Sequence, residues 1–114
     1  MAPIADHEDL TPQEVAELAR TGEVQLVDVR EPYENEAGRI AGSRHVELVR
    51  LASEAESLTG LPIVFYCRTG ARSGMAAQAF SSSGFEAYNL AGGLVAWVGV
   101  GLPIEPEGGR VADH

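Results

Sequence analysis

The sequence contains no lysine and only one cysteine, Cys67. Without lysine, the chain cannot form the Schiff bases of pyridoxal phosphate enzymes or supply the lysine of a phosphate-binding P-loop. A single cysteine cannot form an intramolecular disulfide, which excludes a disulfide-stapled secreted scaffold. The three histidines, His7, His45 and His114, are too few and too scattered beside one cysteine to predict a zinc site. We therefore expect no bound metal.

Long apolar runs and positive charge are also scarce. No stretch approaches the ~20 apolar residues that a membrane-spanning helix needs, and the acidic first nine residues lack the apolar core of a signal peptide. Eight basic residues against 17 acidic ones give a net charge of -9, which repels nucleic acids and anionic lipid surfaces. We expect a cytoplasmic protein that binds neither nucleic acid nor membrane.

The length of 114 residues predicts one domain, with a core over about 8–104. Helix-like and strand-like segments alternate along the chain, which predicts an α/β fold with a largely parallel sheet. The acidic, glycine-containing end at 105–114 lacks an apolar pattern and is predicted to be a mobile tail.

Local patterns indicate where the elements lie. Thr11-Pro12-Gln13-Glu14 has the form of a helix capping box with proline in the first turn. Residues 62–66 are apolar throughout, as in a strand that is covered on both faces. The other predicted elements are strands at 24–29, 45–46 and 87–90 and helices at 32–36, 48–58 and 94–98. The helix after Ser73 is predicted to present one apolar side, formed by Met75, Ala76, Ala79 and Phe80.

The single cysteine follows the buried strand 62–66 directly and begins a loop that leads into a helix. Ligands bind at this end of the strands in open α/β sheets. Loop amides, the positive end of the helix, and Arg68 and Arg72 would each favour the thiolate, so we expect the pKa of Cys67 to lie below ~8.5. The alternative is a buried, inert cysteine. The strand-end position and the two arginines favour a nucleophile in an anion-binding cradle.

Four segments resemble the single-domain rhodaneses of the thiosulfate sulfurtransferase family, in the same order along the chain. One of them departs from the family's Gly-His-Ile-Pro-Gly-Ala pattern at Arg39, Ala41 and Ser43. Together the segments cover roughly residues 8–104. They are Leu26-Val27-Asp28-Val29-Arg30-Glu31-Pro32, Gly38-Arg39-Ile40-Ala41-Gly42-Ser43, Cys67-Arg68-Thr69-Gly70-Ala71-Arg72-Ser73 and Asn89-Leu90-Ala91-Gly92-Gly93-Leu94-Val95-Ala96-Trp97.

The resemblance implies a three-layer domain with a roughly five-stranded, mostly parallel sheet flanked by helices. It also implies a sulfurtransferase that needs no cofactor. Cys67 would take the outer sulfur of thiosulfate as a persulfide and pass it to a thiol, cyanide or protein acceptor. Asp28 and Arg30 would support the site. The residues expected to bind the anionic donor are Arg68, Thr69, Gly70, Ala71, Arg72 and Ser73.

Loop length separates this interpretation from a phosphatase. Cysteine-based phosphatases and arsenate reductases are similar in fold, but their loops place five residues between Cys and Arg. Here four residues lie between Cys67 and Arg72, and a smaller ring of amides suits a persulfide sulfur better than a tetrahedral phosphate. A persulfide carrier or redox-sensing module with little turnover is a further alternative, because Cys67 fits it equally well. A general-base role for His45 is disfavoured, since a loop that lowers the thiol pKa needs no base.

Overall fold

The computed structural model describes residues 9–114 and shows five parallel strands in one sheet, in the order β1-β5-β4-β2-β3. This confirms the predicted α/β fold. His7 and the other residues of the acidic N-terminus lie outside the described residues. The elements are β1 (Asp9–Leu10), α1 (Pro12–Arg20), β2 (Gln25–Asp28), α2 (Pro32–Ala37), β3 (Arg44–His45), α3 (Leu51–Glu54), β4 (Ile63–Tyr66), α4 (Ala71–Ser82), β5 (Ala87–Leu90) and α5 (Gly93–Gly99).

The side chains of the central strands alternate between two apolar layers. Val27 and Phe65 belong to the layer on which α4 packs, whereas Leu26 and Val64 belong to the layer that contacts α1 and α5. Successive side chains of a strand point to opposite faces, so a strand covered on both sides must be apolar at nearly every position. This requirement explains the continuous apolar run that precedes Cys67.

The capping box predicted at the start of α1 is confirmed. The hydroxyl of Thr11 accepts a hydrogen bond from the amide of Glu14 at 3.1 Å, and the carboxylate of Glu14 accepts one from the amide of Thr11 at 2.9 Å. Both amides would otherwise lack a partner at the helix N-terminus. The local sequence therefore determines where α1 begins.

The single helix predicted over 48–58 is wrong. The segment consists of a 3-10 turn at Leu48–Arg50, the short helix α3, and a second 3-10 turn at Ala55–Leu58. Neither 3-10 turn has a side-chain hydrogen bond that caps it. Uncapped helix ends commonly tighten to 3-10 geometry, which satisfies more of their backbone groups locally.

The buried side of α4 also differs from the prediction. Met75 is 60% exposed, and Ala79 is exposed as well. Because α4 begins directly after the Cys67 loop, its rotation is fixed by Ser73, whose hydroxyl turns inward to the sulfur. The residues that α4 buries are Ser73, Ala76, Ala77 and Phe80.

No helix in the range 9–114 has the length and apolar character needed to cross a membrane.

The C-terminal segment, for which the composition predicts mobility, lies along α2. Arg39 and Glu105 form an antiparallel bridge with two backbone hydrogen bonds of 2.8 Å. The amide of Arg110 donates to the carbonyl of Ala37 at 2.8 Å, and Ala112 is buried. The acidic composition of 105–114 did not reveal these contacts, because most of them join backbone groups.

Candidate active site

Cys67 lies at the carboxyl end of β4, the central strand, and is 1% exposed. Its Sγ accepts hydrogen bonds from the amide of Gly70 at 3.1 Å and from the amide of Ser73 at 3.5 Å. The hydroxyl oxygen of Ser73 is 3.3 Å from the same sulfur. Gly70 has a φ of 103°, a left-handed conformation that glycine adopts without strain, and this turns its amide toward Sγ. The loop thus closes around one sulfur atom.

The surroundings of Cys67 favour its ionised form. Burial raises the pKa of the thiol, but hydrogen bonds from the Ser73 hydroxyl and from the amides of Ser73, Gly70 and Thr69 outweigh it, so the pKa lies below its ordinary value. The sulfur also faces the N-terminus of α4, a 12-residue helix whose positive end stabilises negative charge. This agrees with the direction expected from the sequence. The side chains of Thr69 and Ala71 are exposed, and their backbone forms the ring.

The first turn of α5 holds the other side of the loop. The amide of Leu94 donates to the carbonyl of Cys67 at 2.9 Å, and the amide of Val95 donates to the carbonyl of Arg68 at 3.0 Å. Gly93 makes this approach possible, because a Cβ atom there would lie 2.5 Å from the carbonyl oxygen of Arg68. The loop is therefore fixed by two helices, with α4 following it and α5 clamping it.

Arg72 does not point freely at the sulfur. Its two terminal nitrogens donate to the two carboxylate oxygens of Glu34, on α2, at 2.8 and 2.9 Å. These bonds raise the pKa of Arg72 further. Such a paired arrangement fixes the guanidinium plane. Arg72 therefore holds the loop against α2. The position of Arg72 in the sequence does not indicate that Glu34 is its partner.

Arg68 is the more available of the two loop arginines. Its side chain is partly exposed, and its closest carboxylate is that of Asp113 at 3.6 Å, which is almost fully exposed. Its Nε is buried and has no hydrogen-bond partner within residues 9–114. An exposed ion pair at this distance contributes little, so Arg68 keeps donors available for an anion.

Asp28 and Arg30 form a buried pair below the site. Asp28 accepts hydrogen bonds from Nε and a terminal nitrogen of Arg30 at 2.8 and 2.7 Å, and from the side chain of Asn35 at 3.0 Å. Arg30 also donates to the carbonyl of Gly38 at 2.7 Å. The pair thus ties the end of β2 to Asn35 within α2 and to Gly38, which follows the helix. Because α2 carries Glu34, Asp28 reaches the loop through this helix and not by direct contact.

The remaining candidates are His45 and a group of possible metal ligands. His45 Nε2 donates to the carbonyl of Arg30 at 2.7 Å. In the described part of the chain, Glu31, Glu34 and His114 bring possible metal-ligand atoms within 4.8 Å of one another. Both oxygens of Glu34 already accept hydrogen bonds from Arg72, whose positive charge repels a cation. This group therefore does not offer a metal site.

Glu34 and Asn89 also belong to the site, although the sequence predicts no role for either. Asn89 accepts a hydrogen bond from the hydroxyl of Ser73 at 2.6 Å. The position of Asn89 within the buried strand β5 could have indicated a role for it, since buried amides require hydrogen-bond partners. No comparable pattern in the sequence indicates a role for Glu34, because it is 38 residues from Arg72 along the chain.

Comparison with known proteins agrees with this geometry. Residues 11–99 match the Rhodanese-like domain family. The uncharacterized protein YqhL of Bacillus subtilis is 44% identical over 77 residues, which cover 66% of this chain and 61% of YqhL. The thiosulfate sulfurtransferase GlpE of Pseudomonas aeruginosa is 36% identical over 90 residues, covering 77% of this chain and 81% of GlpE.

A solved structure of a rhodanese-related protein from Thermoplasma volcanium superposes with a TM-score of 0.81 at 25% identity, covering 87% of this chain and 98% of that chain. The chain therefore belongs to the rhodanese-like domain family, and the resemblance seen in the sequence is confirmed. It spans less than two thirds of the length of several curated relatives, YqhL among them. Its sulfurtransferase-named relatives support membership of a sulfurtransferase family.

Proposed function

We propose that this protein transfers a sulfane sulfur from thiosulfate, or a related small anion, to a thiophilic acceptor through a persulfide on Cys67. The observation that carries the proposal is the convergence of loop amides and the α4 N-terminus on one buried sulfur. These groups stabilise negative charge at a fixed point without rearrangement. A cytoplasmic location fits, since a lone reactive thiol persists in a reducing compartment.

The reaction has two displacements. In the first, the Cys67 thiolate attacks the outer sulfur of thiosulfate, and sulfite leaves with the electron pair of the broken S–S bond. In the second, the acceptor attacks the outer sulfur of the persulfide, and the electron pair of that S–S bond returns to Sγ as thiolate. Charge balances in both steps, so no metal, oxidant or organic cofactor is needed.

The loop residues divide these tasks. The amides of Gly70 and Ser73 hold the negative sulfur, because each already donates a hydrogen bond to Sγ, and the Thr69 amide also lowers the pKa of Cys67. Arg68 attracts the anionic donor with its partly exposed guanidinium, which is held only by a weak ion pair with the exposed Asp113 at 3.6 Å. Arg72 keeps the ring closed through Glu34. Asp28 and Arg30 support the ring through α2.

Intact mass after incubation with thiosulfate tests the proposal. We expect a gain of ~32 Da, removable by cyanide with formation of thiocyanate, by thiol–sulfur exchange. Cys67→Ser serves as the control, because serine is close in size but far less ionisable, and it is expected to remain folded and to gain no mass. Retained transfer in Cys67→Ser would contradict the assignment of the nucleophile.

Two outcomes would favour the alternatives. A ~32 Da gain without thiocyanate turnover indicates a persulfide carrier. Hydrolysis of an aryl phosphate without any sulfur uptake indicates a phosphatase, a function that the four-residue spacing between Cys67 and Arg72 disfavours.

A further inference from the structure

A polar chain runs from β5 to the reactive sulfur. Asn89 is nearly fully buried, and its side-chain nitrogen lies 3.0 Å from a carboxylate oxygen of Asp9 and 3.3 Å from the carbonyl of Gly70. Both of these groups can only accept hydrogen bonds, so the amide nitrogen must face them. The carbonyl oxygen of Asn89 must then face the hydroxyl of Ser73, at 2.6 Å.

The orientation of the amide decides the direction of the next hydrogen bond. The amide oxygen of Asn89 cannot donate, so the Ser73 hydroxyl donates to it. That hydroxyl has one proton, yet its oxygen also lies 3.3 Å from Sγ of Cys67. Two acceptors, the Asn89 carbonyl oxygen and the Cys67 sulfur, therefore compete for the one hydrogen bond that the Ser73 hydroxyl can donate.

The charge on the sulfur determines which acceptor receives the proton. A neutral thiol is a weak acceptor, so the hydroxyl of Ser73 donates to Asn89 and accepts from the S–H group. A thiolate is a much stronger acceptor, because hydrogen bonds to a full charge are roughly twice as strong as neutral ones. In the persulfide, the charge moves to the outer sulfur, and the hydroxyl returns to Asn89.

We propose that Asn89 is a positioning residue for Cys67, acting through Ser73. The carbonyl oxygen of Asn89 accepts the hydrogen bond of the Ser73 hydroxyl whenever Sγ is uncharged. It loses this hydrogen bond when Sγ becomes a thiolate. The hydroxyl rotates and no proton leaves it, so the step changes no charge balance. Asn89 thereby opposes ionisation of Cys67, and Ser73 favours it. The persulfide part of this cycle rests on the proposed sulfurtransferase function.

The cycle links the two displacements. A thiolate that is too strongly stabilised attacks the donor poorly, whereas the same stabilisation helps it leave in the second step. By competing for the Ser73 hydroxyl, Asn89 reduces the net stabilisation that this hydroxyl gives to the thiolate, so the thiolate keeps more of its reactivity toward the donor. The side-chain nitrogen of Asn89 also holds Gly70 in place by donating to its carbonyl, and the backbone N–H of Gly70 in turn contacts Sγ.

The pH dependence of iodoacetamide alkylation tests this role without any sulfur donor. Cys67 is the only thiol, so the alkylation rate reports its thiolate fraction directly. We compare the parent, Asn89→Leu, Ser73→Ala and the double variant, after confirming by circular dichroism that each is folded. Asn89→Leu removes the acceptor at similar volume, and Asn89→Ala replaces it if the leucine variant is unfolded.

We expect Asn89→Leu to lower the midpoint, with alkylation about three- to tenfold faster below it, and Ser73→Ala to raise the midpoint. In the Ser73→Ala background, Asn89→Leu should no longer lower the midpoint. Equal shifts with and without Ser73 would overturn the proposal, since Asn89 would then act through Gly70 alone. An unchanged or lowered midpoint in Ser73→Ala would also overturn it, even if no Asn89 variant folds.

The alkylation experiment is independent of the proposed function. If the protein takes up no sulfur from thiosulfate but the alkylation midpoints shift as expected, the positioning role stands and the sulfurtransferase proposal fails. If sulfur uptake is normal but the midpoints do not shift as expected, only the role of Asn89 fails.

Discussion

The guanidinium of Arg72 is bound at both terminal nitrogens by Glu34, a completely buried carboxylate on a different helix. This pair is the direct side-chain link between α2 and the Cys67 loop. Removing one member of such a pair leaves the other charge poorly solvated, which costs more than the pair itself contributes. The pair therefore supports predictions about stability, acid sensitivity and the thiol pKa.

Glu34→Gln is expected to lower the free energy of unfolding by roughly 3 kcal/mol, because it leaves Arg72 without its counter-charge in a mostly buried position. Urea unfolding measures the change. Glu36→Gln, an exposed position on the same helix, is the matched control and should change stability by less than about 0.5 kcal/mol. Equal effects of the two substitutions would show that the ion pair does not stabilise the fold.

The same carboxylate should make the protein sensitive to acid. Burial raises the pKa of Glu34, but hydrogen bonds from Arg72 and Glu31 and the charge of Arg72 outweigh it and hold the pKa below 4.5. The stability that it contributes is therefore present above pH 4.5 and is lost as the pH falls through the lower, folded-state pKa. Unfolding free energy measured from pH 6 downward, a range of about three units, should fall more steeply for the parent than for Glu34→Gln. Parallel curves would contradict this.

The charge of Arg72 should influence Cys67. Arg72→Gln removes a cation that interacts with the thiolate, so the pKa of Cys67 should rise. Glu34→Gln frees that cation and should lower the thiol pKa, and the double variant should fall between the two. The pH profile of iodoacetamide labelling gives all three values. No change across the series would mean that the loop amides alone set the thiol pKa.

Gly93→Ala should displace the loop. A Cβ atom at this position would lie 2.5 Å from the carbonyl oxygen of Arg68, and its φ of 61° is unfavourable for alanine. We expect a stability loss of about 2 kcal/mol or more and a sulfur-transfer rate reduced by about 100-fold. Gly99→Ala, in the same helix but with open space around it, is the control and should retain both. Full activity in Gly93→Ala would show that the α5 clamp does not position the loop.

Insertion of one glycine between Gly70 and Ala71 should lower thiosulfate turnover and admit weak aryl-phosphate hydrolysis. Each added residue lengthens a chain by up to ~3.5 Å, so the amide ring widens and loses its contacts with a single sulfur. Both activities are measured in the folded parent and variant. Undiminished sulfur transfer in the variant would remove loop length as the ground for rejecting a phosphatase.

The features that follow from local pattern could be predicted from the sequence. The apolar strand before Cys67 and the capping box at Thr11 both depend on residues close together in the chain. The lowered pKa of Cys67 followed from its position between a strand and a helix, since the amides that hold the sulfur belong to the same short loop. Sequence proximity was sufficient in these cases.

The features that depend on distant residues could not be predicted. Arg72 pairs with Glu34 rather than with a backbone carbonyl or Asp28, and only the tertiary fold brings together these two residues, which are 38 positions apart in the chain. The burial of Ser73 in place of Met75 follows from the rotation that the loop imposes on α4. Helical periodicity identifies an apolar side but does not fix which residue faces the sheet when small and polar residues are mixed.

The burial of Cys67 also limits the size of the molecules that can react with it. A disulfide between two protein chains requires their Cβ atoms to approach within ~4 Å, which two folded surfaces cannot achieve at a residue that is 1% exposed. Oxidation should therefore leave the folded chain unlinked. In the proposed mechanism, a persulfide would place the reactive atom one S–S bond, ~2 Å, beyond Sγ, so an acceptor would reach the outer sulfur without contacting the shielded cysteine.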